Sequence, residues 1–553
     1  MHWIHDTVFY NIYPLGFCGA PKFNDFQQTY RLDKIYDFIP HFKKMGVNAI
    51  VFNPVFESTR HGYDTIDYYK IDSRLGDNES FKKICDTLHK NGIRVLLDGV
   101  FNHVGRDFFA FKDIQQHGYA SIYCSWFQNV RFDGQSPYGD NFTYEGWAGH
   151  YDLVKLNLQN DFVVEHLLGA VRFWIEEFGI DGLRLDAANV MDLGFFKKLK
   201  NMCRELKPDF WMYGEIVGGD YNRLANPEML DSVTNYEIYK GLYSCHNDRN
   251  YFEFAHSMDR ECGDWGIYKN LYLYNFADNH DVTRLASIIR DKNLQKNVYT
   301  MLFTMPGAPS IYYGSEFGME GRIIRGQSDD DVRRELNLDA LENPDYDLFE
   351  HICKLGRIKH TLEALQTGQY KNEVIQLEHL CYSMRTDGQK VYVMLNQSTE
   401  PRRIGINTGF NGVMTDVLND NEQFPCNGYM DIVVEPGSSR ILIENDGSFR
   451  IDFTQTEEPV SEEQEIADQP SPATADENQE IEPQEIVPGK YRHFKGNEYE
   501  VVGFAKDSET TEKMVIYRAL YGEKELWVRP YEMFREVIER DGKKIRRFEK
   551  IDG

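Results

Sequence analysis

Between residue 8 and about residue 315, short apolar runs rich in β-branched residues alternate with amphipathic stretches that close on glycine. VFYNIYPL (8–15) has the composition of a strand, IYDFIPHFKKMG (35–46) that of a helix ended by glycine, and VNAIVFNPVF (47–56) that of the next strand. The cycle returns with FKKICDTLHKNG (81–92) and IRVLLDGVF (93–101), then with VVEHLLGAVRFWIEEFG (163–179) and IDGLRLDAA (180–188). LGFFKKLKNMCREL (193–206) and FWMYGEIV (210–217) repeat it once more. Strands that are apolar throughout belong in a parallel sheet covered by helices, since each parallel neighbour needs a crossover. About eight such units over roughly 300 residues suit a closed barrel better than an open sheet.

One connection breaks that rhythm. Between the strand ending near Phe101 and the strand at Ile180 lies a stretch dense in Gly, Asp, Tyr, Phe and Trp, such as FDGQSPYGDNFTYEGWAGHYD (132–152). Structureless loops of that length are uncommon unless functional. An inserted subdomain over the barrel mouth is therefore expected at 104–165, between barrel segments 1–103 and 166–365. From 366 to 450 the period changes to two, in VIQLEHLCYSMRT, QKVYVMLNQS, YMDIVVEP and SRILIEN, which predicts an antiparallel β-sandwich. Residues 451–486 read as a disordered linker: over 456–486 there are eleven acidic residues, no basic ones and several prolines. Residues 487–553 are again strand-like and aromatic, a small β-rich domain of their own. The expected class is α/β: a (β/α)8 barrel with an insert after strand 3, a C-terminal sandwich and a terminal module.

Composition excludes several functions. At 553 residues the chain exceeds one compact core, and its net charge of −27 speaks against binding nucleic acid through phosphates. The nine cysteines are odd in number and lack any C-x-x-C spacing, so neither a disulfide framework nor a zinc site is expected. No apolar run approaches the roughly 18 residues of a membrane span. The N-terminal MHWIHDTVFYNIYP lacks a basic region followed by an apolar core, so a cytoplasmic protein without membrane partners is expected.

Barrel active sites sit at the C-terminal ends of the strands, so acidic residues where an apolar run gives out are the candidates. Four segments qualify. DGVFNHVG (98–105) brings Asp98, Asn102 and His103, and DGLRLDAANV (181–190) brings Arg184 and Asp186, two apart and so on one side of a strand. YGEIV (213–217) brings Glu215, and FADNHDVTR (276–284) brings His280 and Asp281. Any one strand-end Asp is more readily a cap or turn residue. Four in this order on successive strands are hard to obtain by accident.

Together these segments closely resemble the four signature regions of the α-amylase family of glycoside hydrolases, and the resemblance runs from about residue 8 to 446. It implies retaining hydrolysis of α-glucosidic bonds in maltooligosaccharides, cyclodextrins or related α-glucans. It also implies Asp186 as nucleophile, Glu215 as general acid/base, and Asp281 as the carboxylate that grips the sugar hydroxyls. Arg184 would hold Asp186 ionised, His103 and His280 would bond the sugar, and Tyr63 in HGYDTIDYY (61–69) would stack on it. Asp64 would either close the pocket through an arginine or hold its own loop. LVKLNL (153–158), Asn189 and EGWAG (145–149) resemble the neopullulanase and cyclomaltodextrinase group, whereas FADNHD and the barrel starting almost at Met1 do not. Ser315 in PGAPSIYYGSEFGMEG (306–321) stands where the family more often has Asp. No cofactor is required; calcium is an optional ion, with Asn102 as its candidate ligand. The same trio would serve an α-glucosidase or a transglycosylase. A non-catalytic sugar-binding barrel would be expected to lack one of the three acids, and all are present.

The terminal module resembles a small bacterial domain of unknown function. Its 15 Lys/Arg against 13 Asp/Glu over 487–553 give no basic footprint. Phe494, Tyr499, Tyr517, Tyr521 and Trp527 would make either a carbohydrate-binding face or the core of a small domain, and the core is favoured.

Overall fold

The computed structural model describes residues 2–326 and 328–453, and then 486–551 apart from 494–497, 507–512, 521–525, 536 and 541–542. The expected linker thus falls almost wholly outside the described residues, as do Phe494, Tyr521 and the Trp527 side chain. The chain divides into two compact units, Met1–Ser461 and Glu462–Gly553.

Eight parallel strands form the centre of the first unit: β1 (Phe9–Ile12), β2 (Ala49–Phe52), β3 (Arg94–Gly99), β4 (Gly182–Leu185), β5 (Trp211–Gly214), β6 (Ser232–Val233), β7 (Tyr274–Phe276) and β8 (Ala308–Tyr312). They pair in the order β6-β5-β4-β3-β2-β1-β8-β7, and a parallel bridge from Thr234 to Tyr274 closes the ring. Around them lie α1 (Ile35–Lys44), α2 (Asn78–Lys90), α3 (Asp161–Phe178), α4 (Leu193–Leu206), α5 (Tyr236–Asn247), α6 (Tyr251–Cys262), α7 (Gln295–Thr304) and α8 (Tyr346–Thr361). Between β5 and β6 the chain makes only a short 3-10 turn at Tyr221–Arg223. The local signals explain these elements. Asp77 caps α2 by accepting from Ser80 N at 2.8 Å while its own N–H donates to Ser80 Oγ. Gly179 ends α3 in the left-handed conformation at φ 68°.

Alternation along the strands sorts the core into two. Phe9, Val51, Leu96, Trp211, Tyr213 and Tyr274 point into the barrel and form one buried cluster. Tyr10, Ile50, Val95, Leu97, Leu183 and Met212 point out and meet the helices. Each such buried large side chain contributes about 1.5–3 kcal/mol. At the end away from the catalytic motifs, Trp3 packs edge-on against Phe9 and Trp211 and closes the barrel. Because the inward parity runs on past the strand ends, Asp98 follows Leu96, Asp186 follows Arg184, and Glu215 follows Tyr213 toward the mouth.

The insert after β3 builds a small antiparallel sheet from His103–Gly105, His150–Lys155 and Gly146–Trp147, with a helix at Phe109–His117. The C-terminal β-domain is a six-stranded antiparallel sheet, strands from Gln369–Ile375 to Ser439–Asn445. An irregularity between Asn407 and Asn411 bends its longest hairpin. Ile404, Ile406 and Met430 thereby share a core with Tyr392 and Met394, whereas Val391, Val393 and Leu395 face the barrel unit's core.

The second unit contains a five-stranded antiparallel sheet and a helix at Tyr531–Arg535. Its core is Ile486, Tyr491, Val501, Val515, Tyr517, Tyr531, Phe534 and Phe548, with Tyr499 packed against it. Of the five aromatics singled out above, Tyr499 and Tyr517 thus serve as core.

Candidate active site

One guanidinium organises the mouth of the barrel. Register places Asp98 on β3, Arg184 on β4 and Tyr213 on β5 side by side. The Arg184 side chain is buried, donates to Asp98 Oδ2, lies 3.3 Å from Asp186 Oδ1 and 2.9 Å from Glu215 Oε2, and reaches the Tyr63 hydroxyl at 3.3 Å. Glu215 Oε2 also accepts from Ala187 N at 3.3 Å. Ala187 adopts φ 48°, a left-handed conformation unfavourable for alanine by about 1 kcal/mol or more. That strain directs its N–H at Glu215, so the carboxyls of Asp186 and Glu215 share both a guanidinium and a turn.

A second arm runs from Asp98 to the last acid. Asp98 Oδ2 accepts from the Tyr63 hydroxyl (3.1 Å) and from Asn53 Nδ2 (3.2 Å). The Tyr63 oxygen lies 2.5 Å from His280 Nε2, which is in turn 2.8 Å from Asp281 Oδ2. Arg333 Nη2 holds the other Asp281 oxygen at 2.8 Å. The Asp281 side chain is 36% exposed and Asp186 only 10%, so Asp281 is the rim of the site and Asp186 its floor. A cleft opens beside them, lined by Arg184, Glu215 and His280 together with Asn11, Asn53, Thr234, Asn279 and Ser310.

Burial and charge pull the acids apart. Burial pushes Asp186 well up from the usual carboxylate range against the pull of Arg184, with Glu215, Asp98 and Asp281 adding to the rise. Asp98 is raised by burial too, opposed by Arg184. Burial would also raise Asp281, but His280 and Arg333 outweigh it and hold that carboxyl below its usual range. Burial lowers His280 despite Asp281, and brings His103 down to about 3.

The candidate catalytic and sugar-binding residues all have a place. Asp98, Tyr63, Arg184, Asp186, Glu215, His280 and Asp281 form the connected cluster just described. His103 stacks on Trp147 of the EGWAG segment, with centroids 6.1 Å apart, and its Nε2 is buried without a partner among the described residues. Glu145 of that segment pairs with Lys155 of LVKLNL at 2.7 Å, which joins the two fragments into one wall. Asp64 accepts from His61 N at 3.0 Å and lies 3.6 Å from His61 Nδ1. This geometry matches the loop-holding alternative; no arginine pairs with Asp64 among the described residues. Ser315 donates to Asp278 Oδ2 (2.8 Å) and accepts from Arg284 (3.2 Å), a buried network behind the site. The Asn102 amide faces His103 Nδ1 at 3.1 Å, and its carbonyl accepts from Leu156 N. Among the described residues no three His, Cys, Asp or Glu side chains gather to hold a metal. Of the oxygens calcium prefers, carboxylate and carbonyl, the Asn102 backbone carbonyl is already engaged by Leu156 N. Sequence reasoning passed over Arg333 and Asn53. Arg333 sits in the acidic run DDDVRRELN, which resembles any solvated loop, and Asn53 is one of two polar residues that end a strand.

The family model described as the alpha amylase catalytic domain matches residues 22–347. The chain belongs to the α-amylase family. It is a glycoside hydrolase of that family, and residues 489–550 match a second family, described as a protein of unknown function, DUF1653. A cyclomaltodextrinase of a Bacillus species is 31% identical over 415 residues, covering 71% of this chain and 73% of the relative. Neopullulanase 2 of Thermoactinomyces vulgaris is 32% identical over 466 residues, 80% of this chain and 78% of that one. The intracellular maltogenic amylase of Bacillus subtilis is 28% identical over 80% of this chain and 76% of its own length. Among solved structures, a cyclomaltodextrinase aligns at TM-score 0.71 and 28% identity, over 80% of this chain and 78% of that chain. A debranching enzyme of Nostoc punctiforme aligns at TM-score 0.67 and 27% identity, over 80% and 98%. Among the described residues of this α-amylase-family chain, no helix is long and apolar enough to cross a membrane, and all nine cysteines are free.

Proposed function

We propose that the protein hydrolyses α-glucosidic bonds in short maltodextrins and cyclodextrins, with retention at the anomeric carbon. The observation that carries the reading is the Asp186–Arg184–Glu215 cluster at the mouth of the barrel. Retention needs two carboxyls flanking one glycosidic bond, and here one cation and the Ala187 turn hold a pair together. Glu215, with Oε2 engaged by Arg184 and Ala187, delivers a proton from its other oxygen to the glycosidic oxygen. As that carbon–oxygen bond breaks, the Asp186 carboxylate attacks the anomeric carbon and forms a glycosyl ester. Glu215, now ionised, takes a proton from water; the water oxygen attacks the same carbon and releases Asp186. Asp281 holds the hydroxyls of the sugar whose bond is cut, and Tyr63 offers it a ring face. His103 Nε2 bonds a further hydroxyl. The names of two relatives, cyclomaltodextrinase and intracellular maltogenic amylase, support cyclodextrins as substrates and a cytoplasmic location.

NMR of the first product from β-cyclodextrin should show the α-anomer, and Asp186→Asn should abolish turnover while keeping sugar binding. A β-anomer, or activity within tenfold of wild type, would overturn the assignment of the nucleophile. Higher kcat/KM on starch than on β-cyclodextrin or maltotriose would overturn the substrate class.

A further inference from the structure

Beside the loop that follows Glu215, the barrel mouth carries an apolar rim that packing does not explain. After α6 the chain turns through ECGDWGIYK (261–269), and Trp265 in that turn is 94% exposed, the most exposed large apolar side chain among the described residues. Asn235, just past β6, donates to Glu261 Oε2 at 2.9 Å, which fixes this end of α6 at the mouth. The turn is rigid. Gly266 N donates to Gly263 O, Ile267 N to Arg260 O and Tyr268 N to Glu261 O, at 2.8–2.9 Å. It is also braced to the loop after Glu215: Asn222 Nδ2 donates to Ile267 O (3.1 Å), Tyr268 hydroxyl to Gly219 O (3.2 Å), and the rings of Tyr221 and Tyr268 stack at 4.6 Å. On the same braced pair of loops Val217, two residues after Glu215, is 64% exposed and Ile267 48%.

We infer that Trp265, flanked by Val217 and Ile267, is a stacking platform for sugar units on the leaving-group side of the scissile bond. The inference rests on Glu215 as the acid that protonates the leaving oxygen. The loop continuing from that acid runs along the departing chain, and an indole presented at its edge covers the apolar face of a pyranose ring. The hydrogen-bonded turn fixes the Trp265 backbone, so only two side-chain torsions are ordered on stacking, and the exposure of the ring in the free protein is recovered when glucan covers it. Since a ring beyond the cut is stacked in ground state and transition state alike, the platform acts on KM rather than kcat.

The test compares full-length Trp265→Ala and Trp265→Tyr with wild type, with equal melting temperatures as the check on folding. The ratio of KM on maltoheptaose to KM on 4-nitrophenyl α-maltoside, whose leaving group has no sugar ring, should rise about 3- to 10-fold in Trp265→Ala. Trp265→Tyr should bring it back to within about twofold, since tyrosine also offers a ring face. An unchanged ratio, or KM rising equally on both substrates, overturns the platform. Binding is read separately by titration calorimetry in an Asp186→Asn background, where adding Trp265→Ala should weaken maltoheptaose binding about 3- to 10-fold. An affinity unchanged by the second substitution overturns the inference whether or not the wild type cleaves maltoheptaose, and a failure of cleavage alone counts against the hydrolase reading instead.

Discussion

Replacing Arg184 by methionine separates what holds this site together from what merely lines it. The side chain is 4% exposed and meets Asp98, Asp186 and Glu215, so its loss leaves buried carboxyls without their cation. Removing one partner from a buried ionic cluster costs about 3–5 kcal/mol. With an unfolding entropy of about 2 cal/mol/K per residue over roughly 450 residues, that becomes a fall in Tm of only about 3–5 °C. The pH dependence is more diagnostic than the size. Without Arg184 the folded-state pKa values of Asp98 and Asp186 rise further above their unfolded values. A carboxyl raised on folding destabilises above its folded pKa, and the penalty disappears as pH falls toward the unfolded value near 4. Calorimetry should therefore find a larger Tm gap between wild type and Arg184→Met at pH 7.5 than at pH 5. In parallel, kcat/KM on β-cyclodextrin should drop on the order of 10³-fold as the charged groups lose their orientation. A gap that widens toward acid, or no gap at pH 7.5, would refute the electrostatic account of the cluster.

Asp98→Asn removes one of the carboxylates that raise Asp186 and leaves Arg184 more fully to it, so the acid limb of kcat/KM should move down by about one pH unit; a limb that stays or moves up contradicts this. Burial brings the Lys359 ammonium down to about 7 although it donates to Leu365 O and Gly307 O. Between that value and the unfolded pKa of about 10.4 the unfolded chain binds more protons, so this lysine makes stability rise with pH. The urea midpoint of wild type minus that of Lys359→Met should thus increase from pH 7 to 9.5, and a flat difference would discount the buried charge. Ile451 is buried and exchanges hydrogen bonds with Asn421 at 3.0 Å, so the β-domain extends past Asn445. Ending the chain after Ser461 should leave kcat on maltotriose within about twofold, because no proposed site residue lies beyond Arg333; a large loss in kcat would assign the terminal unit a role in the site.

Period and spacing are local properties, and what depends on them was legible in the sequence. Alternation between apolar runs and glycine-closed helices pointed to the barrel, and spacing put Asp98, Arg184, Asp186 and Glu215 at strand ends, with Arg184 and Asp186 on one side of theirs. Strand β6 was not legible. Two residues, Ser232 and Val233, carry no periodicity, and they form a strand only because Tyr213 pairs with Ser232 and Thr234 bridges to Tyr274. The same holds for Arg333, 52 residues from Asp281, and for Asn53, 45 residues from Asp98, which meet their partners only when the barrel closes. Asp64 illustrates the converse. Its neighbour Tyr63 reaches the site, yet Asp64 turns to His61 three residues back, since a buried carboxylate takes the nearest N–H donor. Which acids share Arg184, and which of them are raised or lowered, follows from burial and from charges brought together from β3, β4, β5 and the loop after β7. Sequence determined the candidates; only the closed barrel, by excluding water and converging those strand ends, decided their electrostatics.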